Sequence, residues 1–157
     1  MKDRAARPPT LVIGVGNDYG GDDGVGLRVA REIGALGLDG LRVVTVAGDC
    51  TRLVGTWTRE DRVFLVDAAF SSSVPGAIHR MEATDGPLPE EPLWRASTHS
   101  FGVAEAIELA RALRQMPRRL VVYGVEGKTF TPGFGLSREV DRSVDRVVRR
   151  ILEELRS

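Results

Sequence analysis

The chain predicts a single three-layer α/β/α domain around a mostly parallel, twisted sheet of about five strands, one of them an antiparallel edge strand. Short apolar runs alternate with segments whose apolar residues recur at helical spacing. Several of the runs are continuously apolar, as strands buried on both faces of a parallel sheet must be. With 157 residues, 42% of them hydrophobic, the chain can fill one sizeable core, and no repeat or linker divides it.

Leu11-Val12-Ile13 reads as the first strand, closing in the glycine turn Gly14-Val15-Gly16. A helix follows from Val25, with Val29, Ile33 and Leu36 on one stripe and a stop near Gly37. The second strand is expected at Leu41 to Ala47. The third runs from Arg62 to Asp67, where Val63-Phe64-Leu65-Val66 is unbroken. Ala77 to Glu82 alternates apolar and polar, which predicts the half-exposed antiparallel edge. Pro87, Pro89 and Pro92 then argue against regular structure up to Thr98. Ser100 is expected to cap a helix carrying Val103, Ile107, Ala110 and Leu113. Arg119 to Val125 supplies the last strand. Ser137 opens a C-terminal helix striped by Val140, Val144, Val147, Ile151 and Leu155. Residues 1–9 are expected to form a disordered tail, and residues 10–157 the domain.

Lys plus Arg and Asp plus Glu number 22 each, so no bulk attraction to nucleic acid or an anionic membrane is expected. No secretory signal and no bilayer-length apolar stretch is visible. The single cysteine, Cys50, rules out an internal disulfide framework and fits a reducing compartment, so the cytoplasm is the expected location.

Two phosphate-binding patterns are approached and missed. The turn Gly14-Val15-Gly16-Asn17-Asp18-Tyr19 has tyrosine where a dinucleotide fingerprint needs its third glycine, and Asp18, Asp22 and Asp23 compete for the amides a pyrophosphate would use. Gly127-Lys128-Thr129 imitates the end of a P-loop, but Val122 stands where its first glycine belongs and Pro132-Gly133 blocks the helix that should follow. No serine-nucleophile elbow and no HExxH helix is present. Cys50 could sit at a helix start with a lowered pKa, or be a small packing residue. The second reading is favoured. His79, on the edge strand, is read as a surface residue.

Three other residues converge. Asp23 falls just past the first strand, Asp67 at the end of the third, and His99 at the approach to a helix. All lie on the carboxyl side of the sheet, where such folds place their ligand crevice. Two carboxylates and an imidazole suit a divalent cation such as nickel, zinc or manganese, with room left for substrate or water. Asp22 or Asp23 could instead only cap a helix. A carboxylate directly after four apolar residues, as at Asp67, needs a specific partner or is expensively desolvated.

The ordered set Gly14-Val15-Gly16-Asn17, Gly21-Asp22-Asp23-Gly24-Val25-Gly26-Leu27-Arg28, Leu65-Val66-Asp67-Ala68, Ser97-Thr98-His99-Ser100 and Gly135-Leu136-Ser137 resembles the hydrogenase maturation endopeptidases. Gly127 departs from the proline common in relatives. The resemblance implies a phosphorylase/hydrolase-like α/β/α fold and an endopeptidase, of metal-dependent or aspartic type, that removes the C-terminal extension from the nickel–iron hydrogenase large-subunit precursor. It implies that Asp23, Asp67 and His99 are both the catalytic and the metal-binding residues. Nickel would come from the precursor, and zinc or cadmium could occupy the same site. The expected partner is that precursor, met by a monomer. The alternative is a non-proteolytic nickel-binding or chaperone module using the same residues.

Overall fold

A computed structural model describes residues 8–59, 61–89, 93–94, 101–133 and 135–157. Five strands form the sheet: β1 (Thr10–Gly16), β2 (Leu41–Ala47), β3 (Arg62–Phe70), β4 (Ile78–Glu82) and β6 (Arg119–Glu126), in the order β2-β1-β3-β6-β4. The two-residue β5 (Leu93–Trp94) pairs with the end of β3. β1, β2, β3 and β6 are parallel, and β4 is the antiparallel edge. The expected mixed α/β sheet is therefore the one observed. β5 corrects one detail, because a short strand forms directly after Pro92 despite the prolines.

The two sheet faces carry separate cores. Helices α1 (Val25–Ala35) and α3 (Arg138–Arg156) cover one face, where Val12, Phe64, Val66, Val121 and Tyr123 meet Val29, Ile33, Val140, Val144, Val147 and Ile151. Helix α2 (Val103–Ala112) and a 3-10 turn at Cys50–Leu53 cover the other, against Leu11, Ile13, Val63, Leu65, Leu120 and Val122. Strand residues alternate between these faces, which is why Val63–Val66 of β3 and Leu120–Tyr123 of β6 are apolar on both sides.

Several predicted ends shift. Helix α1 stops at Ala35, and Leu36, expected on its buried stripe, is 52% exposed. Helix α2 is capped by Gly102, whose amide donates to Glu105 Oε2 at 3.0 Å, in place of the expected Ser100, which lies outside the described residues. Pro9 accepts from the Arg62 amide at 2.8 Å, so the N-terminal segment joins the sheet by residue 9. The Arg62 guanidinium donates to the carbonyls of Glu154, Leu155 and Ser157 and so holds the end of α3. No described helix is long and apolar enough to cross a membrane.

Candidate active site

Asp23 sits in a 3-10 turn, Gly21–Gly24, that folds back onto the end of β1. The Asn17 amide donates to the Asp23 carbonyl at 3.1 Å, and the Asp23 amide to the Gly20 carbonyl at 3.2 Å. The fold-back requires glycine at position 16, where φ is 153° and a Cβ would lie 1.9 Å from the Asp23 carbonyl oxygen. One turn later, a Cβ at Gly26 would come within 2.3 Å of both the Val15 and Val66 carbonyl oxygens. Helix α1 thus starts pressed against β1 and β3, one residue before Asp67. Sequence spacing and two bare backbone positions bring the two acids together.

Asp67 is 1% exposed. It lies three residues inside β3 and not at the strand's end, which corrects the expected boundary. Its Oδ1 accepts from the Ala68 amide at 2.8 Å, while its buried Oδ2 has no hydrogen-bond partner among the described residues. Burial, and then the charge of Asp23, hold the Asp67 carboxyl well above the usual carboxylate range. A buried, orphaned carboxylate oxygen beside a second carboxylate is stabilised by a proton or by a cation. The pair therefore fits a divalent metal, though among the described residues no third His, Cys, Asp or Glu completes a set. His99, the third predicted ligand, lies outside the described residues. The nearest described residues on either side of it lie at this end of the sheet: Trp94 pairs with Ala69, and the Phe101 carbonyl accepts from the Cys50 amide at 3.3 Å.

The neighbouring Asp22 has a different task. Its carboxylate, 0% exposed, accepts hydrogen bonds from the Lys128 amide (2.7 Å), the Thr129 amide (2.9 Å), the Ser137 amide (2.7 Å) and the Ser137 hydroxyl (2.9 Å). The Asp22 amide returns a bond to the Thr129 carbonyl at 2.9 Å. Neither acid caps α1 with its side chain, since the residue before that helix is Gly24. Asp22 instead clamps both ends of the loop 127–137 over the start of α1. Ser137, expected to open α3, turns its hydroxyl to Asp22 and makes no side-chain cap.

Cys50 is 4% exposed and belongs to the core under α2. Burial, followed by the charges of Asp67, Asp49, Glu105 and Asp23, pushes its thiol up to about 12. It is an inert packing residue.

The sequence reading missed Glu126. This carboxylate at the end of β6 is 1% exposed and accepts from the Ser71 amide (2.6 Å) and hydroxyl (2.8 Å), with His79 Nε2 3.4 Å away. His79 is thus half-buried against an acid, not a free surface residue. Strand register explains the grouping, because Asp67 and His79 both pair with Gly124 and all three share one sheet face. Glu126 also follows an apolar run, the same signal that singled out Asp67.

Comparison with known proteins agrees with this architecture. The sequence model of the hydrogenase maturation protease family (HycI) matches residues 41–154. A Methanocaldococcus jannaschii protein assigned as a hydrogenase maturation protease is 30% identical over 152 residues, 93% of this chain and 96% of its own. Among solved structures, the hydrogenase maturating endopeptidase HybD of Escherichia coli superposes with a TM-score of 0.76 at 21% identity, over 94% of this chain and 91% of that one. The NiFe hydrogenase maturation protease HybD of Thermococcus kodakarensis does so with a TM-score of 0.69 at 26% identity, over 93% and 97%. A family match across most of the chain, on a shared fold with an acid pair at the sheet's carboxyl end, identifies this protein as a peptidase of the hydrogenase maturation protease family.

Proposed function

We propose that the protein, working as a monomer in the cytoplasm, removes the C-terminal extension from the large-subunit precursor of a nickel–iron hydrogenase after nickel has been inserted. The observation that carries this reading is the orphaned Oδ2 of Asp67 beside Asp23, an arrangement that gains when a cation arrives. Nickel belongs to the substrate here. Asp23, Asp67 and His99 would be its protein ligands, and zinc or cadmium are the expected stand-ins.

Without metal, the pair is relieved by a proton on Asp67. Nickel carried by the precursor replaces that proton and neutralises both acids. Precursor lacking nickel makes no such contact, so selectivity arises as a difference in affinity between the two forms. The same contact fixes the scissile peptide beside the acids. Asp23, the more exposed of the two, is the group placed to take a proton from an attacking water.

The test is incubation of purified, nickel-loaded precursor with wild-type, Asp67→Asn and His99→Ala protein, read by intact mass. Only wild type should release the C-terminal peptide. Efficient processing by either variant overturns the assignment, and binding without any shortening by wild type favours the nickel-binding module.

A further inference from the structure

We infer that the uncharged rim formed by Tyr19, Phe70, Val74 and Phe130 is the docking surface for the precursor polypeptide, held there by apolar contact and not by ion pairs; this deepens the reading above and rests on it. Tyr19 is 78% exposed, Phe70 52% and Val74 76%, although each lies at the functional end of the sheet. Tyr19 precedes Asp23 by four residues, and Phe70 ends the strand that carries Asp67, with its side chain on the opposite sheet face. Their loops are joined. The Gly133 amide donates to the Tyr19 carbonyl at 3.0 Å, and the Phe70 and Phe130 rings meet edge to face at 6.1 Å.

The rim is built, not loose. Asp22 clamps the loop carrying Phe130, and a Cβ at Gly127 would lie 2.4 Å from the Phe130 ring, so glycine there lets the ring seat. On the other side, Glu126 holds Ser71 through its side chain and the Gly76 amide through its carbonyl (2.7 Å), fixing the turn that presents Val74. Exposed apolar side chains gathered at one end of a sheet, here Tyr19, Phe70 and Val74 with the half-buried Phe130 beneath Phe70, mark a contact surface.

Charge decides what kind of partner fits. In the reading above nickel takes up the charge of Asp23 and Asp67, and the charged side chains beside Tyr19 and Phe130 are matched within the protein, Asp18 with Arg31 at 2.6 Å and Lys128 with Glu139 at 2.8 Å. A strongly charged peptide would find no free counter-charge in either pair, whereas an apolar segment of the precursor beside the scissile bond would cover the rings. Aromatic side chains dominate such contacts.

The test measures processing kinetics of nickel-loaded precursor by wild type, Val74→Asp, Phe70→Asp/Val74→Asp and the remote Leu113→Asp, with equilibrium binding of the same precursor read in parallel. Val74, three-quarters exposed, tolerates substitution and guards against misfolding of the double variant. The rim variants should raise KM about tenfold, with kcat within about twofold of wild type. Leu113→Asp should change neither, and wild-type KM should hold within about twofold between roughly 0.05 and 0.5 M salt. Processing with KM unchanged in the rim variants, or a KM that climbs steeply with salt, overturns the rim and leaves the protease reading intact. Binding that Val74→Asp weakens, with no cleavage by wild type, keeps the rim and overturns the protease reading. Absence of both binding and cleavage overturns both.

Discussion

Replacing Asp22 by alanine should cost the protein about 4 kcal/mol of stability while leaving the acid pair chemically intact. The figure follows from the four donors that the carboxylate satisfies, three amides and one hydroxyl. A buried donor left without a partner costs about 1–3 kcal/mol. The Ser137 hydroxyl can rotate away, and water entering the vacated space can serve one amide near the surface. Two amides then remain uncompensated, which gives about 2–6 kcal/mol. That range includes the roughly 3–5 kcal/mol typical of removing one partner from a buried charged contact. Asp22→Asn keeps one acceptor oxygen but turns an NH2 group toward amide donors, so it should lose at least about half as much. Urea denaturation at neutral pH supplies the measurement, as a lower midpoint at unchanged slope. Faster tryptic cleavage after Lys128 should accompany it. A loss below about 1 kcal/mol in Asp22→Ala would refute the idea that this carboxylate holds the loop.

Two further outcomes follow from the same geometry. Because the folded Asp67 carboxyl is held above its unfolded value, the native state binds the extra proton between the two, and stability falls as pH rises from about 4 through that window. In chelator, Asp67→Asn should therefore flatten the pH profile and be more stable than wild type at pH ~7, as read by chemical denaturation. A less stable Asn variant would contradict the electrostatic account. Gly26→Ala should cost about 3 kcal/mol or more, since its methyl meets two carbonyl oxygens at 2.3 Å, whereas Gly34→Ala, with only the Val43 side chain at 3.6 Å, should gain about 0.5–1 kcal/mol. Equal melting temperatures for these two alanine variants would remove the argument that Gly26 sets the approach of α1 to the sheet.

How much was legible depended on whether a signal was local. The strand Leu41–Ala47 was readable to the residue, because its apolar run is bounded by glycines at 40 and 48. The parallel character of the sheet and its antiparallel edge, expected at Ala77 to Glu82 and found at Ile78–Glu82, followed from continuous against alternating patterns. The proximity of Asp23 and Asp67 was legible from their strand ends, and Asp67 is deeper than expected because β3 continues through Ala68-Ala69-Phe70. The division of labour between Asp22 and Asp23 was not legible. Side by side in sequence, they differ only in what a loop more than a hundred residues later brings to one of them. His79 was misread for a related reason. Strand alternation says which face a side chain takes, but not that Glu126 of the neighbouring strand waits there. Long-range polar partners leave no periodicity.

The adjacency of Asp22 and Asp23 constrains any attempt to retarget this enzyme by loop exchange. A transplanted segment between 127 and 137 must still offer two amides at its beginning and a serine at its close, or the turn that carries Asp23 loses its support. Residues 131 and 132 are the part where new sequence can be tried, since the four bonds to Asp22, the Phe130 ring contact and the Gly133 bond to Tyr19 all originate outside it. Changes to what the loop recognises and to how firmly Asp23 is seated are therefore mechanically linked through a single peptide bond.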